Sequence, residues 1–597
     1  MILEGDTLQK PGDSITNNIA AELSEHLLES GGLAIFCGAG ISKNSGLPLA
    51  DELRRRVLET LLETKQDVKQ VMKVRCPFEA FLQSIFNPYM ISDEDLDVAR
   101  ILDIFRHGEP NSNHVLIARL AKRGYLKTVV TTNFDLLIEN ALIKEGWREG
   151  VDFERYYREE HFSATTPEEP GEGFMLFKLH GSIDNPETVR ATLAAVASRS
   201  LSEKRMHVIK HLFSSGKHTA VLVLGYSCTD TFDIIPQIQS IDASDKRVFF
   251  IEHISNLNAT AASAINRKKG GNPFTDFPGK WVKCNTDALV RHLWTALEGL
   301  IGKYEVIRSE FDWSSDVGEW LGKLKNDQGV KSFIAGWVLG EIQGDSPPFS
   351  KAGDIQLSEK ARSCYARALD FATAAERRMA MEFACNGEMG KIYLYKKTSG
   401  KKAMAENYRK AIGHFEEALR IAETQSLGEA RLADCYHLLG ISYASLTEFK
   451  TAKEYLKESR KHYRRLHNGR EADGGLSGSY GEVGNILLEQ QRPTEALNCY
   501  KKSFKLSNSS GDKSGLPSFC INFGVAHLRL RNFDQAIRCF QRSEKISEGK
   551  GDIYTLNVAY SHLIDAYRAR RDIENSEIYK KKQRLIRTKW RGVRDFV

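Results

Sequence analysis

The sequence predicts two folds in one chain: an α/β unit with a parallel sheet flanked by helices, followed by an all-α helical-repeat solenoid. Three observations carry this expectation. At 597 residues the chain is longer than one hydrophobic core can serve. Up to about residue 300, short β-branched apolar runs alternate with helical stretches. Beyond it the strands vanish, and a small–large side-chain pattern recurs at a period of about 40 residues. The expected division is 1–300 for the α/β unit, 301–355 for a helical linker region and 356–597 for the repeats.

The strands expected in the first part are Leu33–Cys37, Thr128–Thr131, Met175–Leu179, Ala220–Leu224 and Arg247–Ile251, each followed by small or polar residues. Parallel sheets of this kind take ligands at the carboxyl ends of their strands. Gly344-Asp345-Ser346-Pro347-Pro348 reads as a break before the repeats. Four registers then superpose: Gly390 with Ala411, Phe415 and Ala418; Gly440 with Ala452, Leu456 and Ser459; Gly484 with Ala496, Tyr500 and Ser503; Gly524 with Ala536, Phe540 and Ser543. A weaker register runs through Ile564, Tyr567 and Ser576, and an incomplete one through Ala361, Tyr365 and Ala368. The small residue lets one helix approach its partner, and the large one fills the gap above it. The pattern resembles the tetratricopeptide repeat, whose stacked hairpins offer a curved surface to protein partners.

Composition narrows the class. A hydrophobic share of 41% with 27% charged residues is ordinary for a soluble globular protein. A net charge of +6 is small at this length and argues against a nucleic-acid partner. The basic residues Lys580, Lys581, Lys582, Arg584, Arg587, Lys589, Arg591 and Arg594 read as a solvated helix face. None of the ten cysteines stands at C-x-x-C spacing, so neither a zinc site nor a disulfide framework is expected, and the natural home is the reducing cytoplasm. Met1–Lys10 lacks the apolar core of a signal peptide. No apolar run approaches the roughly 20 residues that span a bilayer, so no membrane association is expected.

Strand Leu33–Cys37 runs into Gly38-Ala39-Gly40-Ile41-Ser42-Lys43-Asn44-Ser45-Gly46-Leu47-Pro48. Glycine lets the backbone leave the strand sharply and approach a pyrophosphate, whose charge then meets the N–H groups of a nearby helix start. This string is similar to the sirtuin signature G-A-G-I-S-x-x-S-G-I-P, with Leu47 for isoleucine. The resemblance implies a Rossmann-like, sirtuin-like domain with NAD contacts from Gly38, Ala39, Gly40, Ser42, Gly46 and Pro48. It also exposes a departure: the D-F-R that follows the proline in sirtuin deacylases is Leu49-Ala50-Asp51 here, and its arginine is absent. Arg54 or another basic residue is left to replace it.

Thr132-Asn133-Phe134-Asp135 is similar to the sirtuin T-Q-N-I-D segment, and His180-Gly181 to the family's catalytic histidine–glycine pair. The resemblance assigns Asn133 to the ribose or the attacking water, Asp135 to the nicotinamide side and His180 to the general base. An imidazole with a pKa near 6.5 suits that last task at neutral pH. Pro110-Asn111-Ser112-Asn113-His114 resembles a sirtuin helix entry, with Asn113 a candidate cap and His114 structural. Gly225-Tyr226-Ser227-Cys228-Thr229-Asp230 resembles the G-T-S turn that lines the adenosine half of NAD. It implicates Gly225 and Ser227, and Asp230 by likeness to bacterial sirtuin-like domains. Glu252, an acid after a strand, is a candidate for the ribose hydroxyls. Cys284-Asn285-Thr286-Asp287 either closes the adenine pocket or is a surface turn.

A sirtuin deacylase carries a four-cysteine zinc module between its histidine and the G-T-S turn. No cysteine lies between His180 and Ala220 here, so the acyl-lysine groove is missing and water becomes the acceptor. The expected reaction is NAD glycohydrolysis to ADP-ribose and nicotinamide, with NAD as substrate and no zinc. A sirtuin-like domain joined to helical repeats resembles the defence-associated sirtuins of bacteria. That resemblance implies an antiphage, abortive-infection role, a phage-derived or operon-encoded protein activator bound through the repeats, and a homo-oligomer. The competing readings are an NAD-dependent protein deacylase or ADP-ribosyltransferase, and a non-catalytic NAD-sensing scaffold.

Overall fold

The computed structural model describes residues 11–29, 32–73, 81, 99–164, 173–189, 202–214, 217–228, 234–241, 245–255, 259–265, 274–307, 309, 311–325, 328–344, 354–371, 375–396, 400–510, 515–550 and 553–596. Eight strands form one sheet: β1 Leu33–Cys37, β2 Thr128–Thr131, β3 Phe153–Tyr156, β4 Phe174–Lys178, β5 Ala220–Leu224, β6 Arg247–His253, β7 Ala261–Ala264 and β8 Gly279–Cys284. Their order is β3-β4-β2-β1-β5-β6-β8-β7. Every pairing is parallel except β7 with β8. The five expected strands are present, with β4 one residue earlier at each end and β6 two residues longer. Strands β3, β7 and β8 were not expected, for a physical reason. β1, β4 and β5 are buried along their whole length and read as continuous apolar runs. β7 is an exposed Ala-Ala-Ser-Ala edge, and β3 and β8 mix charges into half-buried positions.

Helices cover both faces. Alternate residues of β1 divide between them: Leu33, Ile35 and Cys37 meet α1 (Pro11–Leu28), α3 (Ser112–Lys122), α4 (Leu137–Lys144) and α7 (Thr286–Ala296) in one core. Ala34 and Phe36 meet α5 (Glu203–Phe213) and α6 (Ile234–Gln239) in the other. The register aligns four strand ends: Cys37 pairs with Thr131 on one side and Leu224 on the other, and Thr131 pairs with Lys178. The loops carrying Gly38, Asn133, His180 and Gly225 therefore leave the sheet side by side.

A third core lies off the sheet and changes the reading of the linker. Helix α2 (Ala50–Leu61) packs there with α8 (Trp313–Lys325), α9 (Gln328–Gly344), α10 (Asp354–Phe371) and α11 (Ala375–Tyr395), and Phe134 and Ile183 insert from the loops after β2 and β4 and Leu137 from the start of α4. An added Cβ on Gly336 of α9 would fall within 2.8 Å of Tyr365 on α10. Gly390, Gly440, Gly484 and Gly524 stand in the same relation to Phe415, Leu456, Tyr500 and Phe540. Gly336 thus supplies the small residue the incomplete register lacked, and α9 is the first helix of a repeat. The helix α9 ends at Gly344, and the rest of the expected break lies outside the described residues.

The remaining hairpins pair α11 with α12 (Lys401–Thr424), α13 (Glu429–Ser445) with α14 (Phe449–Tyr463), α15 (Gly469–Glu489) with α16 (Pro493–Ser510), α17 (Leu516–Arg529) with α18 (Phe533–Lys550), and α19 (Ile553–Ala569) with α20 (Ile573–Phe596). On α20, Lys582 pairs with Glu544 at 2.8 Å and Lys580 with Glu577, so these two members of the basic stretch serve their own solenoid.

The last four hairpins share one turn. Thr447, Gln491, Arg531 and Arg571 each take a left-handed backbone, with φ of 64, 58, 59 and 65°. The following N–H reaches back five residues in each case, as from Glu448 to Tyr443 O at 3.0 Å. A β-branched residue is the most strained of these in that conformation. Thr447→Gly is expected to stabilise the solenoid by about 1 kcal/mol, and Gln491→Gly by less. Thermal unfolding of the full chain checks the order, and a Thr447→Gly variant that melts lower contradicts it.

Candidate active site

The glycine turn is built on contacts between backbones. Gly38 N–H donates to Leu224 O at 3.2 Å and Gly40 N–H to Gly225 O at 2.8 Å. A Cβ on Gly40 would lie 2.8 Å from Gly225 Cα, and one on Gly225 would lie 2.5 Å from Ile41 N. Gly225 also needs a left-handed backbone, with φ +64°. Neither neighbour is a side chain that can swing away, so the loops after β1 and β5 touch only because both carry glycine. From there the chain makes a 3₁₀ turn, Ala39–Ser45, with Ala39 exposed and Ser42 buried.

Ser42 sits inside a closed hydrogen-bond cluster. Its Oγ donates to Asp135 Oδ2 at 2.9 Å and accepts from Asn133 Nδ2 at 3.1 Å. Asn133 Nδ2 also reaches Asp135 Oδ2 at 3.2 Å, and Asp135 Oδ1 accepts Leu137 N–H at 3.1 Å, anchoring the start of α4. The Asn133 amide is thereby oriented: its nitrogen is spent on Ser42 and Asp135, and its buried Oδ1 has no partner among the described residues. That acceptor, beside a glycine cradle at four aligned strand ends, fits a ligand bearing hydroxyl or water donors. His180 is buried in the loop after β4, two residues past Lys178 as Asn133 is two residues past Thr131. Gly181 behind it is left-handed, with φ +85°.

His114 belongs to this cluster, which its expected structural role did not require. Asn111 N–H donates to His114 Nδ1 at 3.2 Å, which leaves the proton of the neutral ring on Nε2, 3.2 Å from Ser42 Oγ. Burial, against the opposing pull of Asp135, pushes the His114 pKa down to about 4. Between that value and the unfolded value of 6.5, the unfolded chain binds a proton that the native one refuses, so stability is lost as pH falls through this window. His218, also pushed down to about 4 by burial, adds to the slope. Lowering the pH from 7.5 to 5 is expected to cost about 2 kcal/mol through His114 alone. Urea unfolding at both pH values should show a smaller loss in His114→Gln than in wild type.

The helix cap is Asn111, whose Oδ1 accepts Asn113 N–H at 2.8 Å. Asn113, the expected cap, instead donates from Nδ2 to Ile41 O at 3.0 Å, where Asn111 Nδ2 also donates at 2.7 Å. Both asparagines thus hold the glycine turn. Cys37, closing β1, has its thiol pushed up to about 12 by burial and stays protonated.

The other candidates lie further out. Gly46, with φ +83°, and buried Pro48 sit on the far side of the 3₁₀ turn, where Gly46 packs against the backbone of Phe311. Ser227 is exposed beyond Gly225. Glu252 lies within β6, and its carboxylate accepts from Trp281 Nε1 at 2.8 Å and Lys283 Nζ at 3.0 Å, one donor from the neighbouring strand on each oxygen. Asp230 lies outside the described residues. Asn285 caps α7 at 3.0 Å, and Asp287 accepts Asn44 Nδ2 at 2.9 Å, which ties that segment to the glycine turn. Arg54 is turned into the protein and donates to Met72 O at 3.1 Å. Arg55 and Arg56 line a cleft of about 640 Å³ with Lys43, Gly46 and Trp313, away from Asn133 and His180. Among the described residues no group of three or more His, Cys, Asp or Glu is placed to hold a metal.

Residues 127–263, which span the Asn133, His180 and Gly225 loops, match the family described as SIR2-like domain, and residues 402–465 match the tetratricopeptide repeat. The chain carries a SIR2-like domain and tetratricopeptide repeats. Over 160 residues it is 26% identical to an NAD(+) hydrolase, ThsA, of Acinetobacter baumannii (strain 532279), covering 27% of this chain and 29% of that protein. Over 123 residues it is 30% identical to an NAD-dependent protein deacetylase of Clostridium perfringens (strain 13 / Type A), covering 20% and 44%. The chain spans less than half the length of either relative. Among solved structures it is similar to aspartyl phosphate phosphatase F of Bacillus subtilis, at 15% identity and a TM-score of 0.32, over 51% of this chain and 82% of that one.

Within the SIR2-like domain, sequence reading passed over a buried ionic group behind the loops. Lys178, at the end of β4, pairs with Glu139 of α4 at 2.6 Å. Arg155 of β3 lies 3.6 Å from the same carboxylate and 2.8 Å from Asp184. The signal was present: Phe-Met-Leu-Phe-Lys is an apolar strand that ends in a charge.

Proposed function

We propose that this chain hydrolyses NAD at the nicotinamide–ribose bond, with water as acceptor, giving ADP-ribose, nicotinamide and a proton. One observation carries the reading: the Ser42–Asn133–Asp135 cluster leaves Asn133 Oδ1 buried, with no partner among the described residues, at the glycine-lined strand ends of a SIR2-like domain. Breaking the bond builds positive charge on the ribose while nicotinamide leaves neutral. Asn133 Oδ1 holds a ribose hydroxyl or the attacking water, the Asp135 carboxylate faces the nicotinamide side, and His180 takes the proton that water gives up. Gly38, Ala39, Gly40, Ser42, Gly225 and Ser227 hold the phosphates and the adenosine half. The missing cysteines between His180 and Ala220 favour water over an acyl-lysine acceptor. The similarity to a protein named NAD(+) hydrolase agrees with this choice, and the similarity to a deacetylase supplies the competing one. In this reading the protein acts in the cytoplasm as an antiphage effector, and its repeats bind a phage-derived or operon-encoded activator within a homo-oligomer.

The test is nicotinamide release from NAD by the purified full-length chain, with and without an acyl-lysine peptide. Release that ignores the peptide and yields ADP-ribose is expected, at a basal rate where the activator is missing. Turnover that requires the peptide overturns the hydrolase reading.

A further inference from the structure

We propose that Lys178 is a positioning residue that sets the spacing between the Asn133 loop and the His180 loop. The proposal rests on the NAD-cleavage reading above. Lys178 is 1% exposed, and its ammonium is shared among three elements. It donates to Asp135 O and, at a longer 3.5 Å, to Phe134 O in the loop after β2. It donates to Glu139 Oε1 at 2.6 Å on α4 and to Ser182 Oγ at 3.0 Å in the loop after β4. Ile183 N–H also donates to Phe134 O at 2.8 Å, so the two loops are bonded to each other at the point Lys178 grips. Arg155 holds the far side, donating to Ser182 Oγ at 3.1 Å and pairing with Asp184 at 2.8 Å and Glu149 at 2.9 Å.

Stability alone does not call for this arrangement. Taking a lysine and a glutamate out of water costs several kcal/mol each, and well-packed apolar residues of similar size usually serve a core as well or better. What an apolar pair cannot do is fix two carbonyls and a hydroxyl from separate loops on one point. The two loops carry the group that holds ribose or water and the group that removes the proton. A displacement of about 1 Å between them is enough to cost a hundredfold in rate.

Lys178→Met alone leaves the buried Glu139 with only the more distant Arg155, at 3.6 Å, as counter-ion and is expected to fold poorly. Lys178→Met/Glu139→Gln keeps the charge balance and is the informative variant. In the full-length chain it is expected to melt within a few degrees of wild type and to bind AMP, a probe of the adenosine half, within about twofold. Its kcat for nicotinamide release should fall about a hundredfold while KM for NAD moves less than about fivefold. A kcat within about threefold of wild type overturns the proposal. So does a double variant that melts far below wild type, which makes Lys178 a structural residue. Should purified wild type release no nicotinamide, as a chain without its activator would, binding decides the positioning role. NAD affinity about tenfold weaker with AMP affinity intact supports it, and equal NAD affinities overturn it.

Discussion

Asn133→Ala is expected to lower nicotinamide release by at least about a thousandfold while leaving the melting temperature within a few degrees of wild type. The asymmetry follows from how the amide is bonded. Its nitrogen makes two hydrogen bonds, to Ser42 at 3.1 Å and Asp135 at 3.2 Å, each worth about 1 kcal/mol net. Its oxygen is buried with no partner among the described residues, a burden of about 1–3 kcal/mol that the alanine variant sheds. The two terms oppose each other, so stability changes little. Activity loses the acceptor that a ribose hydroxyl or water would meet. A residue kept for packing would show the reverse. Asn133→Asp is the sharper companion, because it sets a second carboxylate against Asp135 and should lose both activity and stability. Nicotinamide release and thermal melting, measured on the same preparations, check both variants. An alanine variant that retains more than about a tenth of wild-type activity contradicts the role assigned to Asn133.

Much of this site was legible because its chemistry sits in contiguous strings. Gly38–Pro48 and Thr132–Asp135 each place a strand, its turn and its polar groups within a dozen residues, and the parallel register brings the strings together. The illegible parts are those whose meaning depends on a distant partner. His114 was read as structural because nothing near it in sequence reveals that Ser42 lies 3.2 Å from its Nε2. Glu252 carried the pattern of a ribose-binding acid, yet β8 supplies Trp281 and Lys283 to its carboxylate, and β8 is too mixed in character to be recognised as a strand. Only the Gly336 helix of the first repeat falls in the expected linker, and its register stays incomplete, because Gly336 and Tyr365 stand 29 apart, whereas Gly484 and Tyr500 stand 16 apart. The same contact at a longer spacing escapes a search for a fixed period.

That first hairpin leads to the second large effect, a loss of stability of about 3–5 kcal/mol in Tyr365→Ala together with a fall in NAD cleavage. Tyr365 is 1% exposed, lies over Gly336 and packs its ring 5.6 Å from Phe333. It shares its core with Phe134 and Leu137, which flank Asp135, and with Ile183, three residues past His180. A cavity there is therefore felt where the two loops bond through Ile183 N–H and Phe134 O. Hydrogen exchange reads the consequence directly: the Ile183 amide should lose protection in Tyr365→Ala. The equivalent residue further along the solenoid supplies the control. Tyr500 is also 1% exposed and lies over Gly484, but its core holds only repeat residues. Tyr500→Ala should cost a similar stability locally and leave Ile183 exchange and NAD cleavage at wild-type levels. If both variants disturb Ile183 alike, the solenoid unfolds as one body and the shared core has no special standing. If neither does, the catalytic loops are held by the sheet alone. Only the contrast between the two tyrosines makes the first hairpin the route by which an event on the repeats reaches Asn133 and His180.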